Sequence, residues 1–195
     1  MRVFIAVLVL IFGFQSFTKA DDISEFEIEG ISLYDSALLY FTESELKKNV
    51  ADYYSSDKFF TSAIFKTFEE YDYLQLSFKK NDSKYIIQDL SGSKELNYSK
   101  CLKEIEDIKN QISTLYENSS EISENDKKTY EHPADKSGET KVTDIAWYFN
   151  NGDVILVQCY NWQSKLGEEN KFVDELKIAI SNKKFDAWVM NEAYK

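Results

Sequence analysis

Residues 141–160 read KVTDIAWYFNNGDVILVQCY, and this stretch decides the fold. Two apolar-rich runs, Val142 to Phe149 and Val154 to Tyr160, flank Asn150-Asn151-Gly152-Asp153. An Asn-Gly pair supplies the positive backbone angles that a tight two-strand turn demands, so the stretch is predicted to be a β-hairpin. Alternation along a strand sends successive side chains to opposite faces. Trp147 and Phe149 then share one face and Tyr148 takes the other, while Tyr160 and Trp162 share a face with Leu156.

Further hairpin signals lie on the N-terminal side. Leu74, Leu76 and Phe78 alternate with Gln75, Ser77 and Lys79, Asn81-Asp82-Ser83 makes a turn, and Tyr85 to Leu90 returns. Phe59 to Phe65 is apolar and fits strand or helix equally, since periodicity alone does not separate them. Leu102, Ile105, Ile108, Ile112 and Leu115 recur at helical spacing and predict a helix over 99–116. The polar segment 117–140, ENSSEISENDKKTYEHPADKSGET, holds almost no apolar residue and the only proline, and is expected to be a mobile loop. On the C-terminal side, Leu176, Ile178 and Ile180 predict a strand. Phe185, Trp188, Val189 and Ala193 form one stripe of a helix over 183–194 that lids the core.

Near the start, EFEIEG alternates as a short strand ending at Gly30. Ser32 with Asp35, and Thr42 with Glu45, match capping boxes, in which a hydroxyl accepts an orphan amide and a carboxylate reaches back. Two short helices, about 33–41 and 43–50, are expected there. Antiparallel hairpins interrupted by helices predict an α+β fold, with an antiparallel sheet built from hairpins and helices packed on one face.

Arg2 precedes an apolar run from Val3 to Phe14, and Thr18 and Ala20 stand where a signal peptidase prefers small residues. Residues 1–20 therefore read as a secretory signal peptide cleaved after Ala20, with an uncleaved anchor as the alternative. A membrane-spanning helix needs roughly 20 apolar residues, and this run has about a dozen. No cysteine follows the cut, which argues against a lipoprotein. Residues 21–195 are long enough for a single α+β domain. Arg2 and Lys19 are the only charges before the cut, so the formal charge goes from -11 to -13, and no arginine remains. Without the arginine fork or a positive field, nucleic acid and anionic membrane surfaces are poor partners.

Asp35-Ser36-Ala37-Leu38 superficially resembles the Gly-Asp-Ser-Leu block of a family of serine esterases. Their serine is activated by a histidine near the C-terminus, and here no histidine follows His132. A serine without a base is a weak nucleophile, so helix capping is the expected role and no catalytic residue is assigned. Carboxylates such as Glu168, Glu169, Asp174 and Glu175, or Asp52 and Asp57, have the chemistry for acid and base work, but spacing alone does not bring them together. One histidine and two cysteines do not furnish a zinc set, no calcium-loop spacing occurs, and Gly-rich phosphate loops are absent. No metal or cofactor is expected. Cys101 lies one turn before Ile105, and Cys159 shares a strand face with Ile155 and Val157. In an oxidising compartment such a pair favours a structural disulfide, with two buried free thiols as the alternative. Trp147, Tyr148, Tyr160 and Trp162 are the candidate binding residues, since aromatics on both sheet faces leave one to bind peptide, sugar or protein unless helices cover it.

The signal segment, the block EFEIEGISLYDSALLYFTESELKKN, and the later VILVQCYNW and FDAWVMNEAY together resemble a group of small exported proteins of unknown function from AT-rich marine alphaproteobacteria. In that group the first block more often carries Gly where this chain has Tyr34. The resemblance implies an envelope location, periplasmic or secreted, and supplies no catalytic residue. The expected function is a non-catalytic binding or envelope-interaction module for a protein, peptide or glycan. The alternatives are a carboxylate-dependent envelope hydrolase and a purely structural subunit.

Overall fold

The structure, a computed structural model, describes residues 23, 26–51, 59–66, 68–116, 119 and 122–194. The expected signal segment and the candidates Asp52 and Asp57 lie outside the described residues.

The hairpin at the centre of the sequence argument is present. Strand β8 (Lys141–Phe149) pairs antiparallel with β9 (Val154–Asn161) through a turn in which Gly152 takes φ +89. Asp153 then ties the turn to two other parts of the chain. Its carboxylate accepts from the Tyr34 hydroxyl at 2.6 Å and from the Lys183 amide at 3.1 Å.

Among the described residues the main sheet holds eight strands, each antiparallel to its neighbours. The first half is a meander of β3 (Val50–Ala51), β4 (Phe60–Lys66), β5 (Tyr73–Lys79) and β6 (Ile87–Glu95). Helix α2 (Tyr98–Leu115) then carries the chain to the far edge, where β7 (Ile122–Glu131) begins the return through β8 and β9 to β10 (Glu175–Ser181), which closes against β6. Phe59 to Phe65 is thereby resolved as strand, and the predicted 74–90 hairpin is β5 with the start of β6.

One sheet face is the main core. Ile145 and Trp147 of β8, Ile155, Val157 and Cys159 of β9, and Leu176, Ile178 and Ile180 of β10 are all buried. Helix α2 lies on these strands with Cys101, Ile105, Ile108 and Ile112 inward, the i, i+4, i+7, i+11 pattern of one helical stripe. Asn97 caps it, its side chain accepting from the Lys100 amide at 3.0 Å. Cys101 and Cys159 have sulfurs 1.99 Å apart, a disulfide between α2 and β9 that favours the bridge over free thiols. Over β4–β6 the same face is covered by the N-terminal segment, a ribbon of β1 (Glu27–Ile28) and β2 (Ile31–Ser32) followed by a 3-10 turn at Ala37–Leu39.

That N-terminal segment corrects one expectation. Ser32 belongs to β2 and does not start a helix; the 3-10 turn is capped by Ser36, whose oxygen accepts from the Leu38 amide at 3.3 Å and donates to the Lys84 carbonyl at 2.6 Å. Tyr34 takes φ +73, a region that favours glycine, and the resulting bend sends the chain along β6. The capping box at Thr42 and Glu45 is as expected, on helix α1 (Glu43–Lys48).

The second correction concerns 117–140. Residues 122–131 form the edge strand β7, not a loop. Its sequence, ISENDKKTYE, shows no apolar alternation because neither face of the strand is buried, and charge on an edge strand blunts unwanted pairing. Polar contacts hold it instead. Glu124 accepts from Ser113 and Trp147 and pairs with Lys109 at 3.1 Å, Thr129 bonds Thr143 at 2.7 Å, and Lys127 pairs with Glu106.

Candidate functional site

The register across the second face of the sheet defines the site. One row of paired residues runs Lys66, Tyr73, Ser93, Lys177, Gln158 and Asp144 across β4, β5, β6, β10, β9 and β8. The next row towards α4 (Lys183–Asn191) includes Gln75, Ser91, Ala179 and Leu156, and the one beyond it Ser62, Ser77, Asp89 and Ser181. This face is therefore far more polar than the one under α2.

The row nearest α4 is closed. Phe185 and Trp188 pack on Phe60 with ring centroids 5.1 Å away in each case. Asn182 caps the helix, its side chain accepting from the Lys184 and Phe185 amides. Beneath lies a buried polar chain. Ser62 bonds Ser77 at 2.8 Å, Ser77 donates to Asp89 at 3.1 Å, and Ser181 donates to the other oxygen of Asp89. Burial pushes the Asp89 carboxyl up, although Lys177 and the serines oppose the shift. Asp186 above it is also pushed up, by burial and then by Asp89.

The opposite end of this face is open and forms a cavity of about 620 Å³, within the range typical of small-molecule sites. Lys66, Tyr73, Gln75, Ser93, Glu175 and Lys177 contribute from the sheet. Tyr160 and Trp162 form one wall, nearly parallel at 13° with ring centroids 5.6 Å apart. Phe172 extends it, 4.4 Å from Trp162. The wall is anchored by backbone bonds: the Trp162 amide donates to Asp174 at 2.9 Å, and the Gln163 amide to Thr140 at 3.1 Å. Gln163 caps the short helix α3 (Ser164–Asn170), which brings Leu166 to the rim.

His132 completes the cluster, with ring centroids 4.9 Å from Trp162, 5.9 Å from Tyr160 and 5.5 Å from Tyr194. The loop after β7 holds it in place. The His132 amide donates to the Thr140 carbonyl, and Asp135 accepts from Ser137 and from the Thr140 amide. Those bonds, the Ser137 hydroxyl first, keep the Asp135 carboxyl well below the usual range. Burial, reinforced by Lys177, lowers His132 to about 4. Nδ1 accepts from the Ala134 amide at 3.2 Å, so the proton of the neutral ring is on Nε2.

Charge in the cavity runs against the chain as a whole. Lys66, Lys171 and Lys177 line it, and among the described residues none of them pairs with a carboxylate within 4.0 Å. Glu175 is the one carboxylate on the described lining, and burial pushes it up. Its cross-strand partner Glu95 is engaged by the Tyr73 hydroxyl at 2.5 Å. Among the described residues no group of His, Cys, Asp and Glu is arranged to hold a metal, and no helix is long and apolar enough to cross a membrane.

Of the four aromatic candidates, Tyr160 and Trp162 meet at this site. Trp147 does not, because its face is the one under α2; it is 1% exposed and donates to Glu124. Tyr148 pairs with Val154, a full strand length from the pocket end, and does not line the cavity. Ser36 is bonded to Lys84 and Leu38, while His132 stands among Tyr160, Trp162 and Tyr194, so the serine and the imidazole form no catalytic pair. Glu168 and Glu169 are exposed on α3, and Asp174 anchors the wall. Sequence reasoning missed His132, Lys66 and Lys177. Lys177 carried a signal, as a charged residue alternating with Leu176, Ile178 and Ile180 in a strand buried on its other side. Comparison of the chain with protein-family models, with curated proteins and with solved structures gives no match.

Proposed function

We propose that this chain is an exported, non-catalytic binding module whose ligand site is the cavity walled by Tyr160 and Trp162. The observation that carries this reading is the stacked aromatic wall itself, open on one side to about 620 Å³ and backed by polar groups of the sheet. Apolar walls with a few placed polar groups are the general make-up of small-molecule sites. The Cys101–Cys159 disulfide supports an oxidising compartment such as the periplasm or the exterior, as does the resemblance to small exported proteins. Carboxylate-dependent hydrolysis asks for two convergent acids, and Glu175 alone fills that description on the described lining.

A thermal-shift screen of small organic compounds against the wild type and Trp162→Leu tests the reading. Compounds that raise the wild-type midpoint and lose that effect in Trp162→Leu support it. A screen in which none does so, or in which both proteins respond alike, overturns it.

A further inference from the structure

We infer that the ligand is an aromatic organic monoanion, its charged head on the Lys177 ammonium and its ring against Trp162 and Tyr160. This rests on the binding reading above and adds the chemical class of the ligand.

Lys177 stands at the middle of the cavity floor. In the register it lies between Ser93 of β6 and Gln158 of β9, and Ser93 also lines the cavity. Tyr160 pairs with Glu175, two residues from Lys177 on the same face, so Tyr160 and Lys177 are diagonal neighbours. Such neighbours are about 7–8 Å apart, close enough for one small ligand to touch both side chains. His132 is close enough to Lys177 for the ammonium to help keep the imidazole neutral. It is 8% exposed and lines the cavity, and among the described residues its Nε2–H has no acceptor. Floor and wall thus offer one cation and one neutral donor beside a flat apolar surface, next to the Glu175 carboxyl, which burial pushes up against the opposing field of Lys177.

The charge count selects a monoanion. Lys66 lies three strands from Lys177 in the same row, ~14 Å along the sheet at the usual strand spacing. A small head group centred on Lys177 is therefore remote from the backbone of Lys66, while Lys66 and Lys171 add to the positive field of the cavity. A phosphate dianion is held best by an arginine fork or a run of free backbone amides, with lysine adding only a point charge. After residue 2 the chain has no arginine, and no glycine lines the cavity among the described residues. A lysine ammonium is a compact point charge, suited to a carboxylate or sulfonate oxygen. On a chain of formal charge -11 this locally basic cavity attracts anions that the remaining surface repels.

Two fluorescent probes with one skeleton separate head from ring. 1-Anilinonaphthalene-8-sulfonate is anionic, and N-phenyl-1-naphthylamine lacks only the sulfonate. The wild-type protein, titrated with each at low and raised salt, is expected to bind the anion more tightly and to lose that margin as salt rises. Lys177→Gln is expected to weaken the anion roughly tenfold, the scale of a hydrogen bond to a charged group, and to leave the neutral probe within about twofold. Lys177→Arg, which retains charge, is expected to restore the margin, and Trp162→Leu to weaken both probes. Circular dichroism checks that each variant is folded, and the salt dependence of the wild type stands if Lys177→Gln is not. Equal affinity of the two probes for the wild type, or a margin indifferent to salt and to Lys177→Gln, overturns the monoanion while leaving the binding site in place. Failure of both probes to bind, or equal binding to Trp162→Leu, removes the binding site as well.

Discussion

The imidazole of His132 lies 4.9 Å from the indole of Trp162, and burial, reinforced by Lys177, holds it neutral with a pKa lowered to about 4. His132 is the only histidine of the chain, so one imidazole signal reports on the cavity.

That signal is expected to titrate near pH 4 by NMR, with the proton on Nε2 at neutral pH. An unfolded histidine titrates near 6.5, so the unfolded chain binds more protons between these values and stability falls as pH drops from about 6.5 to 4. The loss attributable to His132 is on the order of 3 kcal/mol. Denaturation of the wild type and His132→Phe across this window checks it: the difference between their pH profiles is expected to carry this slope. A signal titrating near 6.5 would show that the ring is solvated.

The bridge between α2 and β9 closes a separation of 58 residues. In the chain-entropy account such a loop stabilises by about 4 kcal/mol. Cys101→Ala with Cys159→Ala is expected to lose that amount in urea denaturation, and the reducing agent that destabilises the wild type is expected to leave the double variant unmoved. Equal sensitivity of both proteins to reductant would contradict the bridge.

Gly92 lies on the α2 face of β6, where an added Cβ would come 2.6 Å from the ring of Tyr71. The ring packs over a backbone position that only glycine leaves open. Gly92→Ala is expected to cost about 1–3 kcal/mol, the range for overpacking a filled core. A midpoint unchanged in denaturation would show that Tyr71 moves freely.

Asp89 is fully enclosed with Ser77 and Ser181, and burial raises its pKa. A carboxyl with a raised folded pKa contributes stability that is whole below its unfolded value and is lost as pH rises through the folded one. Asp89→Asn keeps the size and removes the titration, so its stability is expected to decline less than that of the wild type as pH climbs above 4. Parallel pH profiles for the two proteins would count against a buried, titrating Asp89.

Much of the architecture was legible because it follows from local chemistry. Asn151-Gly152 located the hairpin, the Leu102 to Ile112 stripe located α2, and Thr42 with Glu45 capped α1. Other elements depended on neighbours distant in sequence. β7 is a strand because β8 offers its unpaired edge, and Ser36 caps a 3-10 turn because Tyr34 bends at φ +73 and the chain is bonded to Ile87. The aromatic candidates divided for the same reason. Alternation set Trp147 apart from Tyr148 and put Tyr160 with Trp162, but sequence does not state which face a helix will cover.

By itself, the sequence determined an antiparallel α+β fold and the faces on which its side chains alternate, and left open whether the two cysteines meet. Periods of two and 3.6 residues and turn angles act over short range and are written locally. Only the tertiary structure decided that α2 covers the Trp147 face, and that strands from both halves of the chain bring Lys66, Lys177, His132 and Trp162 around one cavity. That assembly rests on the pairing of β10 with β6, a contact between segments about 80 residues apart, which no local pattern encodes.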